Sequence, residues 1–315
     1  MNLPLTLSVI VVNWNVRDLL RECLRSLFEQ MRLASEAWEV IVVDNHSSDG
    51  SAEMVRREFP SAVLLVNDEN VGFGRANNQA FRLCRGRYVL LLNPDTLVLE
   101  HAVDRLVETM DGEGELGALG CRMVNGDGSF QRWTGGSPPT LSNVTCHFLF
   151  AYRVLPAFIL PRPLYLESDP SDDLEVGWVS GACMLLRREA LGEAIFDERF
   201  FLYGEDFDLC DRLTRAGWKI VYTPRAQIVH YDGRSLDRQT PDIQVSKLRM
   251  LRQVFAERNP RAPLLLYDLA VATGFLMRFL SYGLAASTRP GRGYEGRAAR
   301  SEQFLREAIR TLTQR

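Results

Sequence analysis

Three short apolar runs in the first hundred residues each end in side chains suited to holding cations, phosphates or hydroxyls. Val12 leads into Asn13-Trp14-Asn15, Val43 into Asp44-Asn45, and Leu92 into Asn93-Pro94-Asp95. Carboxylate and carboxamide oxygens are the ligands that Mg2+ and Mn2+ prefer, usually one or two carboxylates completed by phosphate oxygens and water. Asp95, with Asn93 beside it, is therefore a candidate for holding a hard cation that would neutralise a departing diphosphate. A second acidic group, Glu205-Asp206-Phe207-Asp208, follows the apolar approach Phe200-Phe201-Leu202-Tyr203-Gly204. A carboxylate against apolar walls is pushed toward the range where it works as a general base. Acids at a helix start also suit the positive end of the helix dipole, a reading that fits Asp208 well. His230 ends a short apolar run, Ile228-Val229, where an imidazole can join a metal site.

These residues need a scaffold that brings strand ends together. Apolar runs at 7–12, 40–43, 62–66 and 88–92 alternate with helical patterns. Continuous Val/Ile/Leu runs fit parallel strands buried on both faces. Between the first two, Val16, Leu19, Leu20, Cys23, Leu24, Leu27 and Phe28 recur at helical spacing, and Ala102, Val103, Leu106, Val107 and Met110 repeat this after the fourth. The β-α-β-α order predicts a doubly wound α/β sheet, whose ligands bind outside the carboxyl ends of the strands. The first turn has no G-x-G-x-x-G, and no Walker A lysine occurs, so dinucleotide-dependent dehydrogenases and P-loop enzymes are demoted. A glycine-rich, basic first loop for a nucleoside triphosphate is also missing.

Asn125-Gly126-Asp127-Gly128 reads as a hairpin turn. Residues 134–176 show no clear period and read as an irregular functional loop or lid. Strand pattern returns at 176–186, then a helix at 205–216 and strands at 219–222 and 227–230. Helices follow at 242–258, 263–286 and 295–313. The expected domains are a catalytic domain over 1–240, with its nucleotide-binding half at 1–110 and its acceptor-side half at 111–240, and a C-terminal helical region over 241–315. From residue 245 onward 13 Lys and Arg stand against 5 Asp and Glu, a local charge of +8 in a chain whose net charge is -3. Six dispersed cysteines with no C-x-x-C pair predict reduced thiols and a cytoplasmic protein. The N-terminus has no signal-peptide pattern. The longest apolar stretch, 264–286, is broken by Asp268 and Arg278 and reads as too short for a clean span. Leu264, Tyr267, Val271, Phe275 and Phe279 share a stripe of it, which predicts either a helix lying in the interface of an anionic membrane or one packed on the protein or on another subunit.

In order and spacing these pieces resemble the inverting nucleotide-sugar glycosyltransferases of family 2, which have the GT-A fold, and within them the rhamnosyltransferase-like branch. The resemblance covers roughly residues 5–240. It is carried by Ser8 to Asn15, by Val43-Asp44-Asn45 through Asp49-Gly50-Ser51, and by Asn70-Val71-Gly72-Phe73-Gly74 through Asn77-Asn78. Further parts are Leu92 to Thr96, Gly177-Trp178 through Gly181-Ala182, Phe196-Asp197-Glu198, Tyr203 to Leu209, and His230 through Gly233 and Ser235. The resemblance implies a mostly parallel sheet with a smaller antiparallel part and a C-terminal helical appendage. It implies a donor pocket lined by Asn13, Asn15, Asp44, Gly72, Asn78, Asn93 and Asp95, and a divalent metal, Mn2+ or Mg2+, on Asp95 and His230. Asp206 matches the catalytic base; Trp178, Gly181 and Glu205 would face the acceptor. Asn93 stands where many members carry aspartate, leaving one fewer anionic ligand.

The implied reaction is transfer of a sugar, rhamnose from dTDP-rhamnose being one such donor, to a hydroxyl of a polysaccharide or glycolipid, with inversion. The rivals are a transferase of the same fold using UDP-hexose or UDP-N-acetylhexosamine, a non-catalytic carbohydrate-binding protein, and a nucleotidyltransferase. Expected partners are the donor, a saccharide or lipid-linked acceptor, a membrane surface met peripherally from its cytoplasmic side, and a second copy of the chain; nucleic acid is not among them.

Overall fold

The structure is a computed structural model that describes residues 5–199, 204–231, 241–289 and 292–313. Expectations for Phe200 to Tyr203 and for Asp232, Gly233 and Ser235 fall outside these. In chain order the elements are β1 Leu7–Asn13, α1 Arg17–Gln30, β2 Trp38–Asp44, α2 Ser51–Glu58, β3 Val63–Val66, α3 Phe73–Phe81, β4 Tyr88–Leu92 and β5 Thr96–Val98. Then come α4 Ala102–Gly112, β6 Leu116–Val124, β7 Gly135–Gly136, α5 Leu141–Phe148, α6 Ala151–Val154, β8 Leu174–Glu175, β9 Trp178–Val179 and β10 Cys183–Arg187. The last are α7 Glu205–Arg215, β11 Lys219–His230, α8 Pro241–Arg258, α9 Leu264–Thr288 and α10 Tyr294–Thr313.

Two compact units result: residues 5–136 with 165–231 among those described, and 137–164 with the C-terminal helices. In the first, one sheet runs β3-β2-β1-β4-β10-β6-β11-β5, with β8 on β11; β7 and β9 make a separate ribbon. β3, β2, β1 and β4 are parallel, β10 runs antiparallel between β4 and β6, and β11 is parallel to β6 and antiparallel to β5. Successive side chains of a strand point to opposite faces, and the sequence fills both. Val9, Val11, Val40, Val42, Leu90 and Leu92 join Leu20, Leu24, Leu27, Met54 and Leu106 of α1, α2 and α4. Ile10, Ile41, Val43, Val89 and Leu91 join Ala76, Ala80, Leu209 and Leu213 of α3 and α7. That explains why these strands show no apolar/polar alternation.

Three expectations change. The two strands expected at 219–222 and 227–230 are one strand, β11, with an irregular step between Thr223 and Gln227. The strand expected at 176–186 is two, β9 and β10. Residues 137–164 are not an irregular part of the acceptor-side half; they contain α5 and α6 and belong to the C-terminal helical unit.

In that second unit Phe148 of α5 lies against Phe275 of α9, ring centroids 5.5 Å apart, and Phe275 against Phe304 of α10 at 4.9 Å. Gly274 allows this approach: a Cβ there would come within 2.5 Å of the Phe148 carbonyl oxygen. The two charges inside α9 are both satisfied within the unit. Asp268 accepts from Arg252 Nε and Nη2 (2.7 and 3.0 Å), and Arg278 Nη1 donates to the Phe148 carbonyl (2.9 Å). α9 spans 25 residues and is long and apolar enough to cross a membrane, which corrects the reading of 264–286 as too short. The core helix of a soluble unit has the same composition. The stripe Tyr267, Val271 and Phe275 is buried inside the unit, and the opposite side, with Leu265, Leu266, Leu269, Leu276, Leu280 and Leu284, is exposed.

Candidate active site

The ends of β1 and β2 lie side by side because Asn13 pairs in register with Asp44. Asn13 Nδ2 donates to Asp44 Oδ1 (2.9 Å) and to Ser47 Oγ (3.0 Å), and Asp44 Oδ2 accepts from the Ser47 amide (2.9 Å). Both side chains are buried, and Asn13 Oδ1 has no hydrogen-bond partner. Asn15 adopts a left-handed φ of 54°, which asparagine tolerates better than most residues. Its Oδ1 accepts from the Ser48 amide at 2.8 Å, tying the first loop to the second.

Next to this, an amide network shapes the entry to α3. Asn45 Nδ2 donates to Asn70 Oδ1 (3.1 Å) and to the Gly72 carbonyl (3.3 Å), and Asn45 Oδ1 accepts from Asn67 Nδ2 (2.9 Å). Gly72 sits at φ 87°, ψ 166°, a conformation essentially restricted to glycine, so any other residue here would be strained. Asn78 differs from its expected donor contact. Its carboxamide is committed to the Ile195 and Phe196 amides (3.0 Å each) and to the Phe196 carbonyl (2.8 Å). It holds the 195–198 segment.

β4 ends at Leu92, turns through Asn93-Pro94-Asp95 and returns as β5. Because β5 is antiparallel to β11 with Thr96 opposite His230, Asp95 and His230 become neighbours although 135 positions separate them. The Tyr231 amide donates to the Asp95 carbonyl at 2.9 Å and locks this register. His230 Nε2 lies 3.4 Å from Asp95 Oδ1, with both side chains almost fully buried. His230 Nε2 has no hydrogen-bond partner. An imidazole nitrogen facing a buried carboxylate is a donor set suited to a cation, and nitrogen with oxygen is acceptable to Mn2+. Among the described residues no group of three or more His, Cys, Asp and Glu gathers, and Asp95 and His230 are the two that meet here.

Asp206 stands in the first turn of α7. Its Oδ1 accepts from the Phe207 amide (2.9 Å) and its Oδ2 from the Gly181 amide (3.4 Å). The next residue, Ala182, accepts through its carbonyl from the Asn93 amide (2.9 Å). Two adjacent backbone units thus join the Asp206 carboxylate to the Asn93-Pro94-Asp95 turn, a link that no local pattern of residues announces. The other acids differ: Asp208 is ion-paired to Arg212 (2.8 Å), Glu205 is buried, and Asp206 is half-buried.

Trp178, expected at the acceptor, is enclosed. It is 3% exposed, stacked on Phe207 at 4.1 Å and edge-on to Tyr165 at 5.8 Å. The open aromatic at the end of this series is Trp133, 60% exposed and 6.0 Å from Tyr165. Burial, and after it the charge of Asp206, pushes the Tyr165 hydroxyl above its ordinary value.

Known proteins share the family and the fold of this chain. The model of glycosyl transferase family 2 matches residues 8–194. The N-acetylglucosaminyl-diphospho-decaprenol L-rhamnosyltransferase of Mycobacterium tuberculosis is 32% identical over 250 residues, which is 74% of this chain and 78% of that protein. Rhamnosyltransferase WbbL of Escherichia coli is 26% identical over 238 residues, 72% of this chain and 85% of its own. Among solved structures, the mannosyltransferase PcManGT from Pyrobaculum calidifontis, in complex with GDP-Man and Mn2+, superposes with a TM-score of 0.61 over 99% of this chain and 90% of that one, at 18% identity, and shares the GT-A fold. The chain belongs to glycosyl transferase family 2, as a rhamnosyltransferase-like glycosyltransferase.

Proposed function

We propose that the protein transfers a sugar, rhamnose from a dTDP-linked donor, to a hydroxyl of a lipid-linked saccharide, in one inverting displacement. The observation that carries this reading is the link of Asp206 through Gly181 and Ala182 to the Asn93-Pro94-Asp95 turn: a base and a candidate cation site meet at the carboxyl end of β4. Asn13, Asn15 and Asp44 hold the nucleotide, and the Gly72 turn lets backbone approach the donor. Asp95 and His230 would hold a divalent cation, which would supply stabilisation of the charge left on the diphosphate. Asp206 accepts the proton of the acceptor hydroxyl as its oxygen attacks the anomeric carbon, from the side opposite the diphosphate. Trp133 offers its open ring to the acceptor's sugar face. The test is a donor panel with Mn2+ and a lipid-diphosphate saccharide acceptor. Turnover of the dTDP-linked donor at least ten times that of UDP-linked hexoses is expected; preference for a UDP-linked donor would replace this reading by the other transferase.

We further propose that the helical unit rests on the cytoplasmic face of an anionic membrane, where such an acceptor would be met. The exposed leucines of α9 lie between Arg261 at one end and Arg289 and Arg292 at the other, in a C-terminal region with a charge of +8. Apolar burial and attraction of about 1 kcal/mol per basic residue near the surface then act together. Flotation with phosphatidylglycerol vesicles should capture the protein at low salt and release most of it at about 1 M salt, where screening is nearly complete. Leu280→Glu with Leu284→Glu, both at exposed positions, should abolish capture. Equal recovery of parent and double variant would show that α9 does not meet lipid.

A further inference from the structure

Gln131 is buried, lies on the return arm of the turn after β6, and hydrogen-bonds His230 through its side chain. The Gln131 amide donates to the Met123 carbonyl (2.9 Å), which anchors its backbone to β6. Its carboxamide orientation follows from its neighbours. Gln131 Nε2 donates to Asn125 Oδ1 and to the His230 carbonyl, both at 3.3 Å, and both of these partners are acceptors. The opposite end, Oε1, is therefore the atom that meets His230 Nδ1 at 2.8 Å. An amide oxygen can only accept, so Nδ1 must carry the proton. In a neutral imidazole that leaves the lone pair on Nε2, the nitrogen 3.4 Å from Asp95 Oδ1.

From this geometry we infer that Gln131 is a positioning residue: it fixes the tautomer and ring plane of His230 so that Nε2 is presented as a metal ligand beside Asp95. The inference rests on the metal reading of Asp95 and His230 and deepens it. Histidine ligands are commonly oriented this way by a partner on the other ring nitrogen, and losing that partner costs about 10–100-fold in metal affinity. The alternative is a Gln131 that only fills space between β6 and β11. Both roles predict some loss of stability on substitution, so stability does not separate them, and two other readouts do.

The first is the protonation state of the His230 ring nitrogens, from 15N NMR of the metal-free protein at a pH where the ring is neutral. The second is the dissociation constant for Mn2+ without nucleotide, from the EPR signal of the free ion. The parent should show a proton on Nδ1 and none on Nε2. Gln131→Met keeps volume but removes the acceptor; it should mix the two tautomers and weaken Mn2+ binding by about 10–100-fold. Gln131→Glu loses the two donated bonds but keeps an acceptor, and should restore the Nδ1–H form with Mn2+ affinity at least that of the parent. A folded Gln131→Met with parental tautomer and Mn2+ affinity within two-fold would overturn the inference, as would a parent carrying its proton on Nε2. A parent with the expected tautomer that binds no Mn2+ would instead refute the metal reading and the ligand role of Gln131 with it.

Discussion

Asp206→Asn should leave a folded protein that binds the donor nucleotide normally while kcat falls by about 10²–10⁴. That loss corresponds to roughly 3–5.5 kcal/mol of transition-state stabilisation. The substitution is nearly isosteric, and the Asn oxygen can still accept from the Phe207 amide at 2.9 Å, while the long 3.4 Å contact with the Gly181 amide is lost. A carboxylate in the first turn of α7 also favours the helix dipole, and removing it costs about 0.3–1 kcal/mol, a shift of a few degrees in Tm at most. The expected signature is thus a large fall in kcat with an unchanged Kd for the nucleotide diphosphate. Retention of kcat within a few-fold would move the role of base elsewhere. Asp208 is a poor substitute because Arg212 already holds it, which leaves Glu205.

Asp95→Ala should abolish the effect of Mn2+ on nucleotide binding and reduce turnover by about 10³-fold or more, as expected when several kcal/mol of charge stabilisation is withdrawn. The side chain is buried with His230 facing it, and the backbone contribution of this position, the carbonyl that accepts from the Tyr231 amide, survives the change. The register of β5 on β11 is therefore kept, and the loss reports on the carboxylate. The measurement is the Mn2+-dependent shift in Tm with and without dTDP, which the parent should show and the variant should lose. Full activity of the parent in excess chelator would contradict this account of Asp95.

Much of the framework could be read from the chain because the strands that carry the site are buried on both faces. Their uninterrupted Val/Ile/Leu runs stop where Asn13, Asp44 and Asn93 begin, so strand ends and polar ligands coincide in the sequence. What stayed hidden depends on contacts between distant segments. Nothing near His230 announces that β11 pairs with β5, or that Gln131 reaches its ring. Glu205, Asp206 and Asp208 look alike as residue types; burial and the Arg212 pair distinguish them. Residue type alone also does not separate the two tryptophans: Trp178 stacks on Phe207 and is enclosed, whereas Trp133 is exposed. Residues 137–164 lacked a period because α5 and α6 are short and α5 gains its partners, Phe275 and Gly274, from far along the chain. α9 misled in its direction for a related reason. It is apolar on nearly every side, so periodicity does not say which stripe faces inward; Phe148, Phe255 and Phe304 decide that.

The central claim is a single displacement with Asp206 as base, and the configuration of the newly formed bond tests it most directly. The product of transfer from an anomerically pure dTDP-linked sugar should be isolated and its one-bond C1–H1 coupling measured by NMR. The account predicts an anomeric configuration opposite to that of the donor, formed by the parent and slowed, with the same configuration, in Asp206→Asn. A product that keeps the donor's configuration would require a second displacement or a front-face route, and would contradict it.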